Sequence, residues 1–298
     1  MGRSRGAAYG HKAGQLPDDL SHSVVFQGAL SVAEAKSKKI IICADDFGMN
    51  SSIDAAVLHL ARLGRLNATS CLVEGRAFAA DAAALKSSGL QMGLHLNFTE
   101  SLGQPGWYRP VSQLIVRAWL RRLDTSLLRG QIVRQLDRFE QILGQGPDFV
   151  DGHQHVHQFP QIRETLLAEL ERRYAQRRPW LRSTRMRLGS GMPVALQAKA
   201  KVIELLGARC FARLAGGYGF SLNDGFLGAY DFQGGEDAYR DLLLRWLGHA
   251  RAGDVLMCHP ALHPESNDGL GVQRVAEYRV LASDQAGAWM VERNLTLV

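Results

Sequence analysis

From Lys38 onward, short apolar runs alternate with amphipathic stretches, and that alternation constrains the fold more than any other feature of the chain. Apolar runs at residues 40–44, 69–73, 91–96, 149–151, 181–188, 254–258 and 295–298 read as strands. Helices fit the intervening stretches 51–64, 126–143, 161–177, 193–207, 236–251 and 270–286. In 126–143, Leu128, Ile132, Leu136, Phe139 and Leu143 recur at helical steps. Ser51 or Ser52 can cap the first helix, with Asp54 placed where the helix dipole favours an acid. Strand and helix alternating over short connections imply a mostly parallel sheet.

An α/β chain of this pattern can be an open doubly wound sheet or a barrel. No GxGxxG follows the first strand, so dinucleotide binding has no support. Acids and histidines stand at several strand ends, and a barrel would bring those ends together at its carboxyl face. The expectation is therefore a single irregular (β/α) barrel, TIM-barrel-like with about seven strands, over residues 38–298. Residues 1–37 are rich in Gly, Ala, Ser and charge without sustained periodicity, and are expected to form a disordered tail.

Composition narrows the class. The 298 residues are 46% hydrophobic, and no apolar stretch is long enough to span a bilayer. The first residues lack an apolar segment after a basic start, so a secretory signal is not expected. Cys43, Cys71, Cys210 and Cys258 include no CxxC pair, and three of them lie in apolar runs. Buried thiols suit a reducing compartment, and the expected location is the cytoplasm. Net charge is +6, and residues 1–39 carry six Lys/Arg against three acids. The rest is only mildly basic, which excludes a nucleic-acid footprint and makes the arginine-rich helices read as solvated faces.

The chemistry gathers at strand ends. Ile40-Ile41-Ile42-Cys43-Ala44 runs into Asp45-Asp46-Phe47-Gly48. One acid could cap the next helix, but two leave one unexplained, and adjacent carboxylates repel unless a cation lies between them. His95 ends the run Gly93-Leu94-His95-Leu96-Asn97. Gly93 is expected to make room beside its imidazole, and Asn97 to add a polar group on the same face. Asp151-Gly152-His153-Gln154-His155-Val156-His157 holds three histidines at a spacing of two, which an extended or turning segment can aim into one pocket. At least one is expected to ligate a metal, the others serving as supporting donors or substrate contacts. His259, locked by Pro260 after a strand, is a candidate acid or base.

Taken in order, these segments resemble the YdjC-like carbohydrate deacetylases, which include chitooligosaccharide deacetylases and a hopanoid-biosynthesis branch. The resemblance is carried by Ala44-Asp45-Asp46-Phe47-Gly48, Asn67-Ala68-Thr69-Ser70, Gly93-Leu94-His95-Leu96, the 151–157 cluster with Phe159-Pro160, and His259-Pro260. It implies a divalent ion, usually Mg2+, held by Asp46, His95 and His153, with Asp45 as general base and His259 as general acid. Zn2+ is the alternative ion, since imidazoles favour it. It further implies an irregular barrel that removes acetyl groups from N-acetylated sugars. His155, His157 and Asn97 are expected to support the metal ligands or to contact substrate. Phe98-Thr99-Glu100 departs from the commoner family wording, which bears on substrate identity more than on chemistry.

The expected substrate is an N-acetylated sugar or oligosaccharide, free or lipid-linked, with no nucleic-acid partner and room for a homodimer. A phosphoesterase on the same scaffold would want more acids or a second metal cluster. A non-catalytic sugar-binding protein would have no use for the Asp45 carboxylate.

Overall fold

The computed structural model describes residues 37–187, 193–266 and 268–297, without the side chain of Ala195. The expected tail lies outside them except for Ser37. Seven parallel strands curl into a half-barrel: β1 (Lys38–Phe47), β2 (Ala68–Cys71), β3 (Gln91–Leu96), β4 (Phe149–Gly152), β5 (Trp180–Leu181), β6 (Gly225–Leu227) and β7 (Asp254–Cys258). Their order is β5-β4-β3-β2-β1-β7-β6, and β8 (Leu295–Leu297) pairs with the start of β1. A single parallel bridge, Leu181 to Leu222, joins the two outer edges.

The connections are helices α1 (Ser51–Arg62), α2 (Phe78–Lys86), α3 (Val111–Trp119), α4 (Thr125–Leu143), α5 (Ile162–Tyr174), α6 (Val194–Ile203), α7 (Arg209–Gly217), α8 (Gly235–His249), α9 (Gly271–Ala282) and α10 (Asp284–Glu292). They cover the sheet, which is why β1 can be apolar on both faces. Helix α4 shows how the sequence writes such an element. Asp124 caps it by accepting the Ser126 and Leu127 N–H groups, and Gly144 ends it at φ 78°. All five residues of its predicted stripe are buried, each contributing about 1.5–3 kcal/mol of apolar transfer.

Four expectations are corrected. The cap of α1 is Asn50, which accepts the Ile53 N–H, and not Ser51 or Ser52. Of the strand expected at 181–188, whose last residue lies outside those described, only Leu181 pairs, as part of Trp180–Leu181. Beyond it Arg182 turns inward and the Asn223 side chain takes over the bonds to Ser183. The helix at 193–207 breaks at a wide turn, Glu204–Ala208, where Gly207 sits at φ 132°. A Cβ there would stand 2.3 Å from the Gln158 carbonyl oxygen, so close approach of the two segments demands glycine. The helix at 270–286 ends at Ala282, because Ser283 leaves the helix and caps α10 through the Ala286 N–H.

Candidate active site

Neighbours along a strand point to opposite faces, yet Asp45 and Asp46 both line one cavity of about 390 Å³ at the carboxyl ends of the strands. The backbone makes this possible. The β1–β2 register slips between Ala44 and Phe47, and Asp46 takes φ 70°, a left-handed conformation that costs a non-glycine residue about 1–3 kcal/mol. Gly48 follows at φ 94°, and Asp54 in α1 locks the turn by accepting the Gly48 N–H at 2.6 Å. The helix-start acid thus also shapes the loop.

Asp46 is the centre of the cluster. Its Oδ1 lies 3.0 Å from His153 Nδ1 and 3.4 Å from His95 Nε2, while Oδ2 accepts from Arg274 at 2.6 Å. Burial alone would raise this carboxyl, but Arg274, His153 and His95 outweigh it and hold Asp46 well below the carboxylate range. The imidazoles respond in kind. Burial pulls His95 down, but Asp151 and Asp45 hold it up at about 10. Burial likewise opposes protonation of His153, and Asp46 with Glu100 holds it up at about 9. The far nitrogen of each ring is fixed. His95 Nδ1 meets Asp151 Oδ1 at 2.7 Å and Ser70 Oγ at 3.0 Å, and His153 Nε2 meets Glu100 at 3.2 Å.

One carboxylate and two imidazoles whose ligand atoms lie within 4.8 Å of one another form a donor set that fits a single divalent ion. A second triad, Asp45, His95 and Asp151, meets the same distance test. Its charge is already answered by Arg182, which is fully buried and grips Asp45 through two bonds of 2.6 and 2.7 Å while reaching Asp151 at 2.7 Å. The first triad is therefore the candidate metal centre, and the second is the charged frame that orients it.

His259 stands across the cavity, its Nε2 4.0 Å from Asp45 Oδ2. Burial pushes it down to about 4 despite the nearby Asp46 and Asp45, so the ring is neutral. Its backbone N–H is held by Glu277 at 2.6 Å, which in turn accepts from Tyr230 at 2.6 Å, and Phe232 packs edge-on to the ring. Burial raises Glu277 to about 7.

Asp45, Asp46, His95, His153 and His259 thus all face one space, and His155 lines it too, its ring edge-on to Phe226. His157 does not. Its Nε2–H donates to the Arg182 carbonyl at 2.8 Å and the ring packs on Phe211, so it supports the arginine. Asn97 is also diverted: its side chain binds the Thr99 and Glu100 N–H groups and the Glu100 carbonyl, shaping the loop that presents Glu100. Gly93 makes room for a different ring, since a Cβ there would meet Phe149 at 2.3 Å. Sequence reasoning missed Arg182, Arg274 and Glu100. An arginine following an apolar strand was a readable signal for the first; Arg274 on an amphipathic helix carried none.

A family model described as YdjC-like protein matches residues 39–292. The chain is 28% identical to a carbohydrate deacetylase of Mus musculus, over 87% of this chain and 93% of that one. It is 27% identical to a chitooligosaccharide deacetylase of Proteus mirabilis, over 87% and 96%. Among solved structures, a candidate cellobiose-phosphate cleavage protein from Enterococcus faecalis superposes with a TM-score of 0.67 at 19% identity, covering 88% of this chain and 97% of that one. This last likeness concerns the fold.

Proposed function

The chain belongs to the YdjC-like protein family, and on that premise we propose that it is a metal-dependent hydrolase that removes acetyl groups from N-acetylated sugars. The observation that carries the reading is the meeting, in one cavity, of a three-donor metal centre with an arginine-clamped carboxylate 4.0 Å from a neutral histidine. Asp46, His95 and His153 would hold the ion, Mg2+ by family resemblance and Zn2+ as the alternative favoured by imidazole donors. When bound, it polarises the amide carbonyl and lowers the pKa of water.

The remaining work falls to the chain's own groups. Asp45, fixed at both oxygens by Arg182, accepts the proton of the attacking water. His259 returns a proton to the departing amine. A ring held near 4 carries no proton at neutral pH, so the proton it delivers must arrive during the reaction, and Asp45 is the neighbour placed to supply it. Phe232, Met257 and Ile203 give the cavity an apolar wall that suits the acetyl methyl and keeps bulk water out. An N-acetylated sugar, free or lipid-linked, would meet the same groups. All four cysteines are free thiols and three are buried, which supports a cytoplasmic setting.

Acetate release from N-acetylated mono- and oligosaccharides tests the assignment. Asp45→Asn keeps the shape and abolishes the basicity, so metal binding should persist while turnover falls at least about 10²-fold. Near-full turnover in that variant would end the proposal.

A further inference from the structure

Among the described residues exposed apolar side chains gather at two places, Val194, Val202 and Leu205 along α6 and the turn after it, and a second group at α3 and the turn beyond. Val116, Trp119, Leu120 and Leu127 are 57%, 52%, 57% and 50% exposed, within the stretch formed by α3, the turn after it and the start of α4. Helix α3 is apolar on two sides: Leu114 and Ala118 are buried, while Val116 and Trp119 face away. Surface of this kind on a folded chain calls for an occupant.

The charge around it says which. Residues 109–123 contain four arginines and no acid, and the exposed Asp124, the cap of α4, stands between them and Leu127. Among the described residues Arg117 and Arg122 have no carboxylate partner, and Arg121 reaches Glu164 only at 3.8 Å. Arg121 takes φ 52°, so the chain turns sharply at the tip, leaving Leu120, Arg121 and Arg122 all exposed. Tryptophan and leucine flanked by unpaired arginines match the boundary between lipid headgroups and acyl chains, where the rings and alkyl groups sink and the guanidinium groups meet phosphates. A protein partner would be expected to supply carboxylates one by one; a bilayer supplies a plane of negative charge.

The tip stands at the barrel end that carries the cavity. Gln161, in the segment just beyond the His153 turn, exchanges two 2.9 Å bonds with the backbone of Leu123. Gln158, at the end of that turn, donates to Ile203, a cavity-lining residue of α6. No helix among the described residues is long and apolar enough to cross a membrane. We infer that α3 and the α3–α4 turn dock this protein on an anionic phospholipid surface, with the active-site end of the barrel towards the bilayer.

Co-sedimentation of the full chain with vesicles of equimolar phosphatidylcholine and phosphatidylglycerol tests this, with phosphatidylcholine alone as the comparison. Binding should appear on the anionic vesicles and weaken with salt. Trp119→Ser with Leu120→Ser should lower it at least about tenfold, and Arg117→Gln or Arg122→Gln about fivefold each. The replaced side chains are exposed, so an unchanged melting temperature and acetate release would separate lost docking from lost folding. The inference is overturned if the parent ignores anionic vesicles, if the variants bind as the parent does, or if the parent is a dimer that Trp119→Ser splits. None of these outcomes touches the deacetylase reading.

Discussion

Arg182→Met is the perturbation most exposed to refutation, because the geometry fixes its cost from several directions. The guanidinium is fully buried and makes contacts of 2.6, 2.7 and 2.7 Å to Asp45 and Asp151, themselves buried. At an effective dielectric near 20, each close ion pair is worth about 4 kcal/mol, most of it offset by the desolvation already incurred. Removing one partner abandons that compensation, and the net loss should be about 3–5 kcal/mol. The pH dependence supplies a second check. Burial would raise Asp151, but Arg182 and His95 hold it below the carboxylate range. A depressed carboxyl contributes stability present above its unfolded value, about 3.9, and lost as pH falls through the folded one. Without the guanidinium, burial raises Asp151 and the contribution reverses, so the gap between parent and variant should be wider at pH 8 than at pH 5. Urea denaturation at both values reads this directly, provided the slope m is unchanged. A loss under about 1 kcal/mol, or a gap that does not move with pH, would mean that Arg182 is not the counter-charge of this site.

Divalent ion at about a hundredfold over its dissociation constant should stabilise the parent by about 2.7 kcal/mol, and His153→Ala and Asp46→Asn should each remove most of that gain in a thermal shift titration. Gly93→Ala pushes a methyl against Phe149, whose ring stacks on Trp180 at 4.4 Å, and should cost about 1–3 kcal/mol in urea, recovered in part by adding Phe149→Leu. Burial holds Asp54 up at about 8, against the bond from Gly48, so its folded form keeps a proton that the unfolded chain releases. Stability should therefore fall as pH rises from about 4 towards about 8, by at most about 1.4 kcal/mol per unit, and Asp54→Asn should flatten that slope in parallel urea curves.

The parts of the fold legible in the sequence are those where one local rule acts alone. Helix α4 has a cap, an apolar stripe and a terminal glycine, and its predicted and observed bounds differ by a single residue. The ends of β3, β4 and β7 were legible for the same reason, since polar groups terminate apolar runs there, whereas β1 runs past the expected Ala44 through both acids to Phe47. Strands β5 and β6, of 2 and 3 residues, are too short to carry any period, and tertiary pairing alone defines them. The turn at Glu204–Ala208 is a packing decision between Gly207 and Gln158, written in neither segment by itself.

The same distinction runs through the site. Each metal-donor candidate comes from a segment whose polarity is anomalous in place, so sequence could find it. Of the cations that balance those acids, Arg182 left a signal after an apolar run, but Arg274 cannot be found that way, because an arginine is ordinary on an amphipathic helix. Arg274 is 2% exposed and binds Asp46 from 228 positions along the chain, though α9 reads like a solvated face. Its second contact, Nε to Asp268 at 2.6 Å, comes from the approach to that helix, so α9 delivers a guanidinium already oriented. Asp46, proposed to attract a divalent ion while pressed against Arg274, would be held by competing charges. For the proposed centre to take up an ion, His95 and His153 would have to give up the protons that Asp46 now helps them keep. Metal uptake at the proposed centre would therefore be coupled to the release of imidazole protons, a property that lies in the arrangement of four side chains and in none of the segments that carry them.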